Sequence, residues 1–279
     1  MSNVVGILIA AALTTGMAFP LIYLFWRASK TSAFTLLPFV IQLPMSLVLN
    51  LTVKPWLNTV IVGLGLPMQA MLLLLLFVAP FTEEAVKLVG LSLLFLRRST
   101  HHDVGESQGI PTWRWLRTVG VMSGMGFGVG EIWAVAVLVI LYEPLLAVYP
   151  WFFYQGFIIE RFEVVFIHGL FGLVSYWGYR RWLPATYLAA VGLHATLNAP
   201  IILYQLGLLQ AMHLSLYVTL FCVISFAVMI ATLTAKDHRK RRRSQLETTD
   251  KPVTTEKVKR QPEDRIVSDA KDNSDEAQD

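Results

Sequence analysis

Hydrophobic and polar positions alternate along this chain at the scale of a bilayer. Apolar runs near 4 to 26, 33 to 53, 118 to 141, 163 to 181, 185 to 209 and 211 to 234 each approach the roughly twenty residues that a membrane-crossing helix needs. The region from Pro55 to Leu96 admits two readings. It is either a pair of helices broken near Pro80, or one span from about Met71 to Leu96 preceded by an interfacial segment, PWLNTVIVGLGLP. Lys and Arg in short loops arbitrate, because they collect on the cytoplasmic side. Seven spans place Arg27 and Lys30, the loop from Arg97 to Arg117, the pair Arg180 and Arg181, and the basic start of the tail together on that side. Eight spans exchange Arg27 and Lys30 for Lys54 alone. The pattern therefore predicts an all-α polytopic transmembrane helical bundle of seven spans in the cell membrane, with eight as the alternative. Its N-terminus lies outside and its C-terminal tail is cytoplasmic.

Composition agrees: 55% of the 279 residues are hydrophobic and 15% are charged. The first twenty-six carry no Lys, Arg, Asp or Glu, so they lack the basic start of a cleavable signal peptide, and Val4 to Trp26 reads as a retained helix. The single cysteine, Cys222, excludes an intramolecular disulfide and a thiolate metal cluster. The transmembrane domain is residues 1–234. Residues 235–279, rich in Thr, Asp, Glu, Lys and Gln, cannot bury a core and are expected to be a disordered cytoplasmic tail. Its start, KDHRKRRR, sums to +5 and is expected to rest on anionic lipid headgroups rather than on nucleic acid. Oligomeric state is not legible.

The stretch FVAPFTEEAVKLVGLSLLFLRR breaks the apolar pattern with Glu83, Glu84 and Lys87. An ionised group at mid-bilayer costs roughly 2.5 to 3.5 kcal/mol, so such groups need partners and a reason. Counted from the nearest cytoplasmic end at about 1.5 Å per residue, Glu84 lies ~20 Å deep, Glu131 ~21 Å, His168 ~18 Å and His194 ~15 Å. Four helices thus deliver ionisable groups to one layer, as a single buried site would require. Lys87 follows the two glutamates at i+4 and i+3, in reach of either. His194 and Asn198 share a face one turn apart, and Gly120, Gly124 and Gly128 allow close helix approach. Taken singly, each has a structural reading: a charge partner, a core histidine, a packing glycine. His101, His102, His213 and His238 receive no role. Glu160, Arg161 and Glu163 read as ordinary solvated charge at the outer interface, within reach of a substrate.

These pieces, EEAVK, GFGVGE (Gly126 to Glu131), FIHGLFG and HATLN, resemble the PrsW-like intramembrane proteases, relatives of the CAAX-processing and bacteriocin-immunity membrane proteases. The resemblance covers about residues 77–200; the first two helices and the tail contribute nothing. Ile132 stands where the PrsW pattern has Asn. Val164 stands where the CAAX form has Phe, and that form has Arg one position beyond Lys87. The departures favour the PrsW branch.

The resemblance implies a glutamate-dependent intramembrane peptidase acting on a membrane-protein substrate, with membrane-bound anti-sigma factors as one substrate type. Glu83 or Glu84 would be the general base on water, His168 would orient that water or share its proton, and His194 with Asn198 would donate to the oxyanion. Lys87 and Glu131 would support them. No HExxH motif is present, so a metal-free mechanism is preferred; the zinc alternative would use His168, His194 and Glu84. Two rivals come from other classes: a proton- or ion-coupled transporter, which would show matching broken helices in two halves, and a catalytically silent membrane scaffold.

Overall fold

The computed structural model describes residues 3–100, 113–142, 155–177 and 182–234. These form seven continuous helical stretches and no strand. They comprise α1 (Asn3–Ser29), α2 (Leu37–Val48), α3 (Lys54–Gly63), α4 (Met68–Thr100), α5 (Trp113–Tyr142), α6 (Gln155–Trp177), α7 (Leu183–Gln205) and α8 (Ala211–Thr234). A 3₁₀ turn at Ala33–Leu36 leads into α2, and a π turn at Leu49–Val53 joins α2 to α3 without a break in helical backbone. Five of the seven stretches are long and apolar enough to cross a membrane. The other two are the charged ones: α4 with Glu83, Glu84 and Lys87, and α6 with Glu160, Arg161 and Glu163. The molecule is a helical membrane bundle, and Leu13, Met17, Leu24, Val40, Leu73, Leu188, Leu216 and Val223 present its exposed apolar surface.

Helix α5 is the buried centre, packed by α6 on one side and α2 on the other. Its glycines make this geometry. A Cβ at Gly124 would lie 1.9 Å from the carbonyl oxygen of His168, and one at Gly128 would lie 2.7 Å from Cα of Val165. On the opposite face, a Cβ at Gly126 would meet the Phe39 carbonyl oxygen at 2.3 Å, and one at Gly130 the Leu43 carbonyl oxygen at 2.4 Å. Backbone contacts backbone on both faces, the small-residue packing that brings membrane helices close.

Three sequence expectations change. The segment from Pro55 continues the second helix as far as Gly63 instead of lying separately at the interface, because the π turn absorbs the irregularity of the Lys-Pro step within helical backbone. Pro80 lies inside α4 without ending it, which removes the two-helix reading of this region. Helix α6 begins at Gln155, eight residues before the expected position, so Glu160, Arg161 and Glu163 are helical. The tail and its headgroup contact, Arg180 and Arg181, and His101, His102 and His238 lie outside the described residues.

Candidate active site

Helix α4 is anchored beside its charged residues. Gln42 Nε2 of α2 donates to the carbonyl oxygens of Val86 and Lys87 at 3.0 Å each. Ser123 of α5 and the Tyr176 hydroxyl of α6 also donate to the Lys87 carbonyl, at 3.3 and 3.0 Å. Donors from three helices thus fix the turn of α4 that carries Glu83, Glu84 and Lys87.

From this turn a hydrogen-bonded chain crosses the bundle. The Lys87 ammonium donates to Glu84 Oε1 at 2.5 Å and to His168 Nδ1 at 2.9 Å. The other nitrogen of His168, Nε2, donates to Glu131 Oε2 at 2.6 Å, and Arg161 Nη1 donates to Glu131 Oε1 at 3.0 Å. On the other flank His194 Nδ1 donates to Glu84 Oε1 at 3.0 Å, and Ser175 donates to Glu84 Oε2 at 3.4 Å. Phe171 stacks on the His194 ring at 4.8 Å, and Lys87 Nζ lies 5.0 and 5.4 Å from the ring centres of Phe127 and Phe171. These aromatic faces close Lys87 off from water while attracting its charge.

Glu83 stands apart from this chain. Its Oε1 accepts from the ammonium of Lys54, which also donates to Asn50 Oδ1 at 2.6 Å. Its Oε2 is buried without a hydrogen-bond partner among the described residues, 3.7 Å from Nε2 of His168 and 3.7 Å from Nε2 of His194. A buried carboxylate oxygen with no donor is costly. The two imidazole nitrogens nearest it stand beyond direct bonding distance.

Glu83, His168 and His194 are also the residues that could hold a metal ion, each offering one atom within 4.8 Å of the others. This differs from the sequence expectation, which gave the carboxylate position to Glu84; that residue is already engaged by Lys87, His194 and Ser175. Zinc ligands at 2.0–2.2 Å in a tetrahedron stand about 3.4 Å apart, so the donors are sufficient in number and nearly so in spacing. Their outer partners do not fit. A zinc-bound histidine donates its second N–H to an acceptor, whereas Nδ1 of His168 faces the Lys87 ammonium, itself a donor. That pairing commits the Nε2 proton to Glu131 and removes the lone pair a metal would take.

Of the residues singled out in the sequence, Glu83, Glu84, Lys87, Glu131, His168 and His194 come together in this cluster. Asn198 does not join it: half-buried one turn beyond His194, its side chain makes no hydrogen bond to a described residue. Lys54, Asn50, Arg161 and Ser175 belong to the cluster and were missed. Part of the signal was present, because Arg161, His168 and Ser175 recur every seven residues and so share one face of α6. No local spacing links Lys54 to Glu83. Comparison with known proteins finds no family model, curated protein or solved structure that matches the chain.

Proposed function

We propose that this protein is an intramembrane peptidase in which Glu83 activates a water molecule against a peptide bond of a membrane-protein substrate. The observation that carries this reading is Glu83 Oε2, buried, without a hydrogen-bond partner among the described residues, and between two histidine nitrogens at 3.7 Å. A water there can donate to the carboxylate and to Nε2 of His194, whose proton is held at Nδ1 by Glu84. As the water oxygen attacks the carbonyl carbon, its proton passes to Glu83. Glu83 then delivers that proton to the departing amide nitrogen as the C–N bond breaks, giving a carboxylic acid and an amine. The amide of Asn198, unbonded among the described residues and one turn from His194, would be the donor to the oxyanion. His194 thus accepts from the water, where the sequence suggested an oxyanion donor. His168 is tied to Lys87 and Glu131 and orients the site.

No step is routed through a metal, since the partners of His168 disfavour one. The resemblance to PrsW-like proteases supports the same reading and suggests regulated proteolysis of the anti-sigma-factor type. The location of the cluster in the middle of α4, α5, α6 and α7 supports cleavage within or beside a substrate's membrane segment.

The test co-expresses wild type, Glu83→Gln and Glu84→Gln with a panel of tagged single-span membrane proteins, then repeats cleavage with purified protein in chelator. Loss of a general base costs roughly 10²–10⁴-fold. The expected result is that Glu83→Gln still folds, at some cost in stability because Lys54 keeps only Asn50 as its partner among the described residues, and loses cleavage by that factor. Glu84→Gln is expected to lower stability as well, because it leaves Lys87 a buried cation without its carboxylate. Chelator should change nothing. Full activity in Glu83→Gln would exclude it as base, zinc-dependent activity would replace the mechanism, and no cleavage by well-folded wild type would favour transport or scaffolding.

A further inference from the structure

The second helix, which contributes nothing to the family resemblance, supplies the cation nearest the proposed base. We infer that Lys54, held by Asn50, is a positioning residue that fixes the Glu83 carboxylate in its working orientation; the inference rests on the reading of Glu83 as the base. A carboxylate is planar, so anchoring one oxygen leaves the other only a narrow arc. The Lys54 ammonium takes Glu83 Oε1, and Oε2 is thereby the oxygen presented to His168 and His194.

The lysine is itself anchored. Its ammonium donates to Asn50 Oδ1 at 2.6 Å, and Asn50 Nδ2 donates back to the Ser46 carbonyl at 2.9 Å and to the Ser46 hydroxyl at 3.3 Å. Ser46 and Leu43 press against Gly130 of α5, where a Cβ would lie 2.7 Å from Cβ of Ser46. The relay from Gly130 to Glu83 therefore starts on the buried central helix.

Between Asn50 and Lys54 the backbone is the π turn Leu49–Val53. Such wide turns are rare and concentrate at functional sites. Here the turn rotates the residues that follow it relative to a regular α-helix, and Lys54 is the first residue beyond it. Lys54 is 15% exposed and Glu83 is 2% exposed, so a lysine at the margin of the site reaches inward to a carboxylate that is fully enclosed. A plain neutralising role would need only a cation nearby. The asparagine tether and the wide turn fix where that cation sits.

The experiment uses the full chain purified in detergent and a tagged single-span protein that wild type cuts, with kcat and KM measured per folded molecule for Lys54→Met, Lys54→Arg and Asn50→Ala. Misplacing a reacting group by about 1 Å can cost 10²-fold. Lys54→Met is expected to lower kcat by about that factor with KM within about twofold. Lys54→Arg should recover about tenfold of the loss, and Asn50→Ala, which keeps the charge and frees it, should lose about tenfold. A folded Lys54→Met that retains kcat within about threefold of wild type overturns the inference while leaving the protease reading intact. If Lys54→Met does not fold, undiminished kcat in Asn50→Ala overturns it instead. Wild type that cleaves no panel member overturns both readings together.

Discussion

Each of the three carboxylates in the polar layer has a cation of its own: Lys54 for Glu83, Lys87 for Glu84 and Arg161 for Glu131. Three carboxylates against three cations sum to zero, which is how six such groups share one level of a membrane bundle at tolerable cost. Arg161 is the member whose pairing is most accessible to test. It is 14% exposed, binds Glu131 on one side and exposed Glu160 on the other, and so connects the buried chain to the rim. Removing one partner of such a pair leaves an uncompensated charge. Arg161→Met is expected to cost about 2 kcal/mol of stability, on the scale of a charged hydrogen bond. Arg161→Met combined with Glu131→Gln should be more stable than the sum of the two single changes. Thermal unfolding of the four proteins in one detergent measures this; strict additivity would mean that Arg161 and Glu131 do not depend on each other.

At the scale of elements, the glycines of α5 decide how near the histidine helix comes. A Cβ at Gly124 would sit 1.9 Å from a backbone oxygen of α6, so no side-chain rotation relieves it and the two helices must separate. Gly124→Ala is expected to cost about 1–3 kcal/mol as an overpacked contact, and to lower cleavage by about 10²-fold through displacement of His168. Gly16→Ala, in a helix with nothing within 4 Å of the new atom, is the matched control and should be neutral in both readouts. Equal behaviour of the two variants would remove the helix-approach argument. The same helix shows what a sequence can and cannot reveal. The spacing of Gly120, Gly124 and Gly128 was legible because one face repeats every four residues. Gly126 and Gly130 repeat equally, but their partners on α2 lie about ninety residues earlier and leave no local trace. The glutamates and histidines were legible because depth along a helix can be counted. Which carboxylate was free could not be, since that depends on rotation about each helix axis and on Lys54, twenty-nine residues before Glu83.

For the whole molecule, the continuity of the second helix through Lys54 and of α4 through Pro80 bears on topology. An eight-span chain needs a loop at each of those two points, and the structure has helix at both. A seven-span arrangement would put the chain ends on opposite faces and alternate the short turns. On that arrangement the segment after α1, with Arg27 and Lys30, would fall inside, and the turn after α3 would fall outside. Two engineered cysteines separate the arrangements, and the chain makes this simple because Cys222 is its only native thiol and is buried. In a Cys222→Ala background, Gly65→Cys is expected to react with a membrane-impermeant thiol reagent in intact cells, and Ser32→Cys only after the cells are opened. The eight-span arrangement predicts the reverse for Ser32→Cys and protection for Gly65→Cys, which would then lie within a crossing helix. That outcome would also put Lys54 in a cytoplasmic loop, out of reach of a carboxylate in the middle of the bundle. Thiol labelling therefore bears on the Lys54–Glu83 pair without requiring any substrate to be known.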